Sequence, residues 1–325
     1  MPASGAPPSS VTDEFELIAA IRDAVPAAGR DVILGPGDDA AVLQVAAGRQ
    51  LVAATDTLVS GVHVLPDAAA ADIGVKTRAV NLSDLAAMGA EPAWALLALT
   101  LPVGERDWVK AFAGGFAGLA AEHTVTLIGG DITSGPLSVT VTALGTVPAG
   151  QALTRRGGRP GDRVLVSGTL GDAALALHLA DSESPPALRQ RLQRPLPRVA
   201  LGAALRGIAN AAIDVSDGLV ADLGHLLEAG ELGAEIETEK LPASAALRQH
   251  AGPALATALQ LGGGDDYELC ILVAPADAAA ALDAAAACDL ALTDIGCVTA
   301  GGGIVCIDAQ GRRGPPPAAG WRHFG

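Results

Sequence analysis

Aromatic side chains are nearly missing from this chain: Phe, Trp and Tyr make up 2% of its 325 residues. With half of the residues apolar, a core of ordinary size must therefore be built from Ala, Val and Leu. Lysine is also scarce. It occurs only as Lys76, Lys110 and Lys240, none of which follows a glycine, and this excludes the G-x-x-x-x-G-K-[ST] loop of P-loop NTPases. Cysteine is absent before Cys270, and Cys270, Cys288, Cys297 and Cys306 form no C-x-x-C pair, which argues against a zinc site and a disulfide framework. Reduced, mostly buried thiols in a cytoplasmic protein are expected instead. Positive charge is in deficit, with 36 acidic against 21 basic residues and a net charge of −15. Nucleic acid and anionic membrane are therefore excluded as expected partners, because both require clustered Lys and Arg. The apolar run Ala93–Leu101 is too short to cross a bilayer. The opening MPASGAPPSS has neither a basic nor an apolar segment, so residues 1–13 are expected to be a disordered tail rather than a secretory signal.

What is present points to an α/β or α+β chain of two domains. Helices are predicted from near Thr12, over Asp72–Met88, Glu105–Glu122, Gly171–Leu179 and Leu219–Ala229. Strands are predicted over Ala40–Val45, Leu51–Thr55 (ending at Asp56), Trp94–Leu101, Thr124–Ile128 (ending in Gly129-Gly130-Asp131), Ser138–Val147, Arg163–Ser167, Ala211–Val215, Ile271–Ala274 and Gly303–Ile307. Pro148-Ala149-Gly150 and Gly157-Gly158-Arg159-Pro160-Gly161 break the pattern, which places a boundary near residue 150 and domains at 14–150 and 151–325. The Pro- and charge-rich segment Asp181–Arg198 is expected to be a loop or a short helix.

The chemistry lies in the placing of aspartates. Gly37-Asp38-Asp39, Thr55-Asp56-Thr57, Asn81-Leu82-Ser83-Asp84, Gly129-Gly130-Asp131 and Asp214-Val215-Ser216-Asp217-Gly218 each set a carboxylate at or beside an apolar run. A carboxylate at the end of a buried strand is costly unless compensated, and there are too few lysines to compensate them all. Divalent cations would do so, and magnesium bridging carboxylates to phosphates suits this inventory. Each site also has a plain structural reading, as a helix N-cap or a turn. Gly168-Thr169-Leu170-Gly171-Asp172 reads better as a tight strand-to-helix turn than as a phosphate loop.

Taken in order, these blocks resemble the thiamine-monophosphate kinases. Leu34-Gly35-Pro36-Gly37-Asp38-Asp39-Ala40-Ala41 resembles their Gly-x-Gly-Asp-Asp-Ala stretch, and Thr55-Asp56-Thr57-Leu58-Val59-Ser60-Gly61-Val62-His63 their Thr-Asp-Thr-x-x-x-Gly-x-His segment. Ala79–Ala90, then Gly129-Gly130-Asp131, Ala152-Leu153-Thr154-Arg155, Asp214–Gly218, Asp266-Tyr267-Glu268-Leu269 and the closing Trp321-Arg322-His323-Phe324 follow in the family's order, from about Glu14 to Phe324.

The resemblance implies the two-domain fold shared with aminoimidazole ribonucleotide synthetase, with an N-terminal sheet domain that dimerises and a C-terminal α+β domain. It implies ATP as donor, thiamine monophosphate as acceptor, several Mg²⁺ ions per site and direct γ-phosphoryl transfer. By matching motif positions, Asp39, Thr55, Asp56, Asp84, Asp131, Asp214 and Asp217 would hold metal, with Asp38 ranked below them. Gly130, Asp131, Arg155 and Ser216 would contact ATP, and His63, Asp265 and Trp321 the acceptor. Plain readings stand beside three of these: a satisfied buried histidine for His63, a solvent-exposed linker arginine for Arg155 and a C-terminal anchor for Trp321. Asp265 stands where the family usually has Glu, which shortens the carboxylate by one methylene. Ala54 stands where some members carry Ser. A purine-pathway relative and a non-catalytic nucleotide binder are the competing readings, and the Asn-Leu-Ser-Asp block and the aromatic tail disfavour the first of them.

Overall fold

The computed structural model of the protein describes residues 13–25, 29, 31–179 and 184–321. The tail expected over 1–13 falls outside them except for Asp13, as do Thr12 and the closing His323 and Phe324. The described residues form two compact units. One contains residues up to Ala47 with Ala53–Asn81 and Pro92–Thr146; the other contains Gly48–Val52, Leu82–Glu91 and the chain from Val147 onward.

The elements of the first half are α1 (Glu14–Ala24), β1 (Val32–Leu34), β2 (Val42–Leu43), β3 (Arg49–Val59), α2 (Ala70–Ala87), β4 (Glu91–Leu101), α3 (Arg106–Glu122), β5 (Thr126–Ser134) and β6 (Ser138–Pro148). Asp13 caps α1 by accepting from the Phe15 amide. In α3, Val109, Phe112, Phe116 and Leu119 repeat at helical spacing and are buried. Much of the chain's scarce aromatic content is spent here, with Trp108 stacked on Phe112 and Phe112 on Phe116. A four-stranded sheet runs in the order β3-β6-β4-β5, and β6 alternates strictly between buried and half-buried positions.

Here the observed strands outrun the expected ones. β3 continues through Asp56 to Val59, and β5 continues through Gly129-Gly130-Asp131 to Ser134. The glycine pair does not stop β5. A register shift lets Leu96 pair with Gly129 and Ala98 with Asp131. A Cβ at Gly130 would lie 1.9 Å from the Leu97 carbonyl oxygen, so the close approach requires glycine at this position.

The second half contains β7 (Arg163–Ser167), α4 (Asp172–His178), α5 (Pro186–Gln193), α6 (Val199–Ala204), β8 (Ala211–Val215), α7 (Leu219–Glu228), β9 (Leu232–Glu237), α8 (Ala245–His250), α9 (Pro253–Gly262), β10 (Glu268–Val273), α10 (Ala278–Ala286), β11 (Leu292–Ala300), β12 (Gly303–Ile307) and β13 (Arg313–Gly314). A seven-stranded sheet has the order β13-β12-β9-β11-β7-β10-β8. Its pairings are antiparallel except for the parallel β12–β9 pair. Every residue of β8 and β10 is buried. α7 lays Leu219, Leu223, Leu226 and Leu227 on a core of Val164, Val166, Ile213, Leu272 and Ile295. The charge-rich segment 181–198 contains α5, whose start is set by Pro185 and Pro186 with their fixed φ. Mixed helix and sheet content in both units gives the α/β (α+β) class. No helix among the described residues is long and apolar enough to cross a membrane.

Candidate active site

The first unit carries the Gly-Asp-Asp, Thr-Asp-Thr and Gly-Gly-Asp blocks. Phe15, Ile18, Asp39, Leu97, Gly130 and Asp131 are among the residues lining one cavity of about 410 Å³, so two aspartates from separate blocks open on the same space. Asp38, Asp39 and Asp131 are exposed, and water screens them; the desolvation cost expected for strand-end carboxylates does not apply to them. The Asp38 carboxylate accepts the Asp39 amide at 2.9 Å. On β3, the Asp56 carboxylate accepts the Thr57 amide at 3.1 Å, and the exposed Thr55 hydroxyl lies 3.1 Å from both the Val141 carbonyl and the Thr142 hydroxyl.

His63 is half-buried in the turn after β3. Its Nδ1 accepts the Val59 amide at 3.0 Å, and the buried Lys76 ammonium donates to its carbonyl at 3.0 Å. An Nδ1 that accepts fixes the neutral tautomer with the proton on Nε2. The satisfied-histidine reading is thus met at Nδ1.

The second unit brings together more of the expected residues. Asp214 is 5% exposed at the end of β8, and the Ser83 hydroxyl donates to its Oδ2 at 2.7 Å, which joins the Asn-Leu-Ser-Asp block to the Asp-x-Ser-Asp-Gly block. Asp84, half-buried on the same helix, follows directly. The loop after β8 is organised by a residue that the motif reading left out. Asp222 Oδ2 accepts the amides of Ser216, Asp217 and Gly218 at 3.0, 3.0 and 3.1 Å. Burial, then the neighbouring charges of Asp214 and Asp217, push the Asp222 carboxyl up to about 7. The carbonyl of Ser216 accepts the Asp265 amide at 2.9 Å, and that of Asp217 accepts the Trp321 amide at 2.7 Å. Ser216, Asp217, Asp265 and Trp321 are therefore neighbours. Trp321 is anchored through its backbone while the residue remains 56% exposed. Arg155 is exposed at a bend, as in its linker reading.

Among the described residues no three His, Cys, Asp or Glu side chains converge as a metal-holding group. Magnesium keeps several waters and needs only one or two carboxylates beside substrate phosphates. Asp39 with Asp131 on one cavity, and Asp214 with Asp217 beside Asp222, supply such pairs of hard oxygen donors, so the residues present fit the ion.

The residues that sequence reasoning missed are mostly buried anchors: Ser83, Asp222, Asp266, Glu268, Arg191 and Arg198. Ser83, Asp266 and Glu268 lay within quoted motifs. Asp222 stands four residues past Gly218 on the expected helix, a spacing at which a side chain can reach back to cap the loop. The thiols divide evenly: Cys270 and Cys306 are buried, and Cys288 and Cys297 half-buried. All four are free.

Comparison with known proteins then places the chain. Residues 37–147 match the family model of the AIR synthase related protein, N-terminal domain, and residues 159–309 that of the AIR synthase related protein, C-terminal domain. The chain is 45% identical over 322 residues to the thiamine-monophosphate kinase of Escherichia coli K12, covering 96% of this chain and 97% of the relative. It is similar to the solved thiamine-monophosphate kinase of Stenotrophomonas maltophilia K279a, with a TM-score of 0.84, 50% identity and coverage of 90% and 96%. It is also similar to AaThiL complexed with AMPPCP and TMP, with a TM-score of 0.75, 33% identity and coverage of 96% and 97%.

Proposed function

Because the chain belongs to the thiamine-monophosphate kinase family, built from the two domains of AIR synthase related proteins, we propose that it phosphorylates thiamine monophosphate with ATP to give thiamine diphosphate and ADP. That it is a kinase follows from the family; the acceptor and the residue roles are the proposal. One observation carries it: a relative 33% identical over 96% of this chain is a complex with AMPPCP, an ATP analogue, and TMP.

In this reading an oxygen of the acceptor phosphate forms the new bond to the γ-phosphorus, the bond from that phosphorus to the β–γ bridging oxygen breaks, and ADP leaves. The attacking oxygen is already anionic near neutral pH, so no general base is assigned and charge repulsion is the main barrier. Asp39, Thr55, Asp56, Asp84, Asp131, Asp214 and Asp217 would hold Mg²⁺. When bound, the ion supplies neutralisation of both anionic partners and a template for in-line geometry. Gly130, Asp131, Arg155 and Ser216 face the nucleotide, with the Arg155 guanidinium matched to phosphate oxygens. His63 offers its Nε2 proton, Asp265 its carboxylate and Trp321 its ring face to the acceptor. We further propose a homodimer formed through the first unit's sheet, which exposes Ala53, Leu96 and Ala98, and a cytoplasmic place at the last step of thiamine diphosphate synthesis.

The test is ADP release with Mg-ATP, using thiamine monophosphate, free thiamine or aminoimidazole-pathway substrates as acceptors, with chromatography of the products. Magnesium-dependent thiamine diphosphate formation from the monophosphate alone is expected. Turnover with a different acceptor, or none in protein that still binds ATP, would reject the assignment.

A further inference from the structure

The loop that carries Asp265 is held in a conformation that side-chain-bearing residues avoid. Asp265 has φ 65° and Tyr267 φ 51°, both left-handed, on either side of Asp266. Such a conformation persists only where the surroundings over-determine it. The surroundings here are unusually specific. The Asp265 and Tyr267 amides donate to the Ser216 and Val215 carbonyls at 2.9 and 2.8 Å, and the Tyr267 hydroxyl donates to Asp265 Oδ1 at 3.0 Å. The Asp266 carboxylate, 2% exposed, accepts the Gly171 amide at 2.9 and 3.1 Å through its two oxygens.

Two residues further on, Glu268 has no exposed surface and is gripped from three directions. Ser167 Oγ donates at 2.6 Å and Arg191 at 2.8 Å, while Arg198 forks onto both oxygens at 2.6 and 2.5 Å. Arg191 also reaches the Asp266 carbonyl at 3.3 Å. A Cβ at Gly168 would lie 2.2 Å from Glu268 Oε1, so the Gly168-Thr169-Leu170-Gly171 turn makes room for the Glu268 carboxylate at the start of β10 with its first glycine and donates to the loop carboxylate of Asp266 with its last. A fully buried carboxylate bound by two arginines is an expensive device for stability alone, since apolar residues of similar volume often serve as well.

We infer that Glu268, Arg191 and Arg198 are positioning residues for the acceptor: their clamp, with the Gly168–Gly171 turn, fixes the left-handed 265–267 loop and thereby the place of the Asp265 carboxylate. This rests on the reading of Asp265 as an acceptor contact. Arg191 and Arg198, from the Pro- and charge-rich stretch expected to be a loop or a short helix, thus set substrate affinity from behind the loop.

The experiment is steady-state kinetics on the full chain with Arg198→Lys, which keeps the charge and loses the fork, with Tyr267→Phe, which removes one hydroxyl, with Asp265→Asn, and with the Arg198→Lys/Asp265→Asn double variant. Arg198→Lys is expected to raise KM for thiamine monophosphate about 5- to 10-fold while KM for ATP stays within about 2-fold, and Tyr267→Phe to act in the same direction more weakly. In the Asp265→Asn background, Arg198→Lys is expected to add less than about 2-fold. Effects of Arg198→Lys and Asp265→Asn that multiply in full would overturn the inference, as would unchanged KM values in both Arg198→Lys and Tyr267→Phe. If Asp265→Asn alone leaves KM for thiamine monophosphate unaltered, the acceptor reading of Asp265 falls and takes the clamp's role with it. A clamp variant that does not fold leaves Tyr267→Phe to decide.

Discussion

The two units support their candidate residues in opposite ways. In the first, Asp38, Asp39 and Asp131 are exposed, and the hydrogen bond at Asp38 goes to the very next residue. In the second, the loops bearing Ser216, Asp217 and Asp265 are tied from below by carboxylates that are almost wholly buried: Asp222, Asp266 and Glu268. The difference teaches that acidic residues do two separate jobs here. The exposed ones face solvent, whereas Asp222 and Asp266 hold backbone amides and Glu268 holds the side chains of Ser167, Arg191 and Arg198, each satisfied by donors that the fold supplies.

This contrast can be broken by substitution. The largest effect is expected from Asp131→Asn in the first unit. Thiamine monophosphate turnover should fall at least about 100-fold in kcat/KM, with the melting temperature nearly unchanged, because an exposed carboxylate contributes function and little stability. Near-normal kcat/KM would show that Asp131 holds no metal. Asp222→Ala in the second unit should behave differently. It strips one acceptor from three amides, at a cost of about 2–4 kcal/mol, so calorimetry should record a melting temperature lower by about 5–10 °C together with lost activity. A variant as stable as the parent would contradict the anchoring role.

The smallest effect sharpens the contrast through pH. Burial raises the Asp266 carboxyl well above its usual range, against the opposing pull of the Gly171 amide and Arg191. A carboxyl raised in the folded state contributes stability that is fully present below the unfolded value of about 3.9 and is lost as pH rises through the folded value. Asp266→Asn does not titrate, so relative to the parent its melting temperature should climb as pH rises above about 4 and level off once the parent's Asp266 has ionised. A difference that stays flat above about pH 4 would mean that Asp266 is ionised in the fold at no cost.

Much of this was legible in the sequence. The apolar spacing of Val109, Phe112, Phe116 and Leu119 announced α3, and the Gly-Asp and Asp-x-Ser-Asp-Gly blocks marked the aspartates that line the first unit's cavity and the loop after β8. The strand limits at Asp56 and Asp131 were misjudged because glycine and aspartate are local stop signals, whereas the β4–β5 pairing absorbs them with a register shift. The anchors were harder to read. That Arg191 and Arg198 converge on Glu268 depends on a separation of some 70 positions along the chain, which no local pattern encodes. Asp266 and Glu268 sit side by side with Asp265 in one motif. Only burial separates Asp266 and Glu268 from the half-buried Asp265.

The poverty in aromatic residues has an optical consequence. There are three tryptophans: Trp94 is buried on β4, Trp108 is half-buried in the α3 stack, and Trp321 is exposed where the tail meets Asp217. Trp321 is thus the chain's natural fluorophore for that loop. Its exposure predicts a red-shifted, collisionally quenchable emission that stands apart from the shielded signal of Trp94, so a change at that loop can be followed by intrinsic fluorescence without attaching a dye.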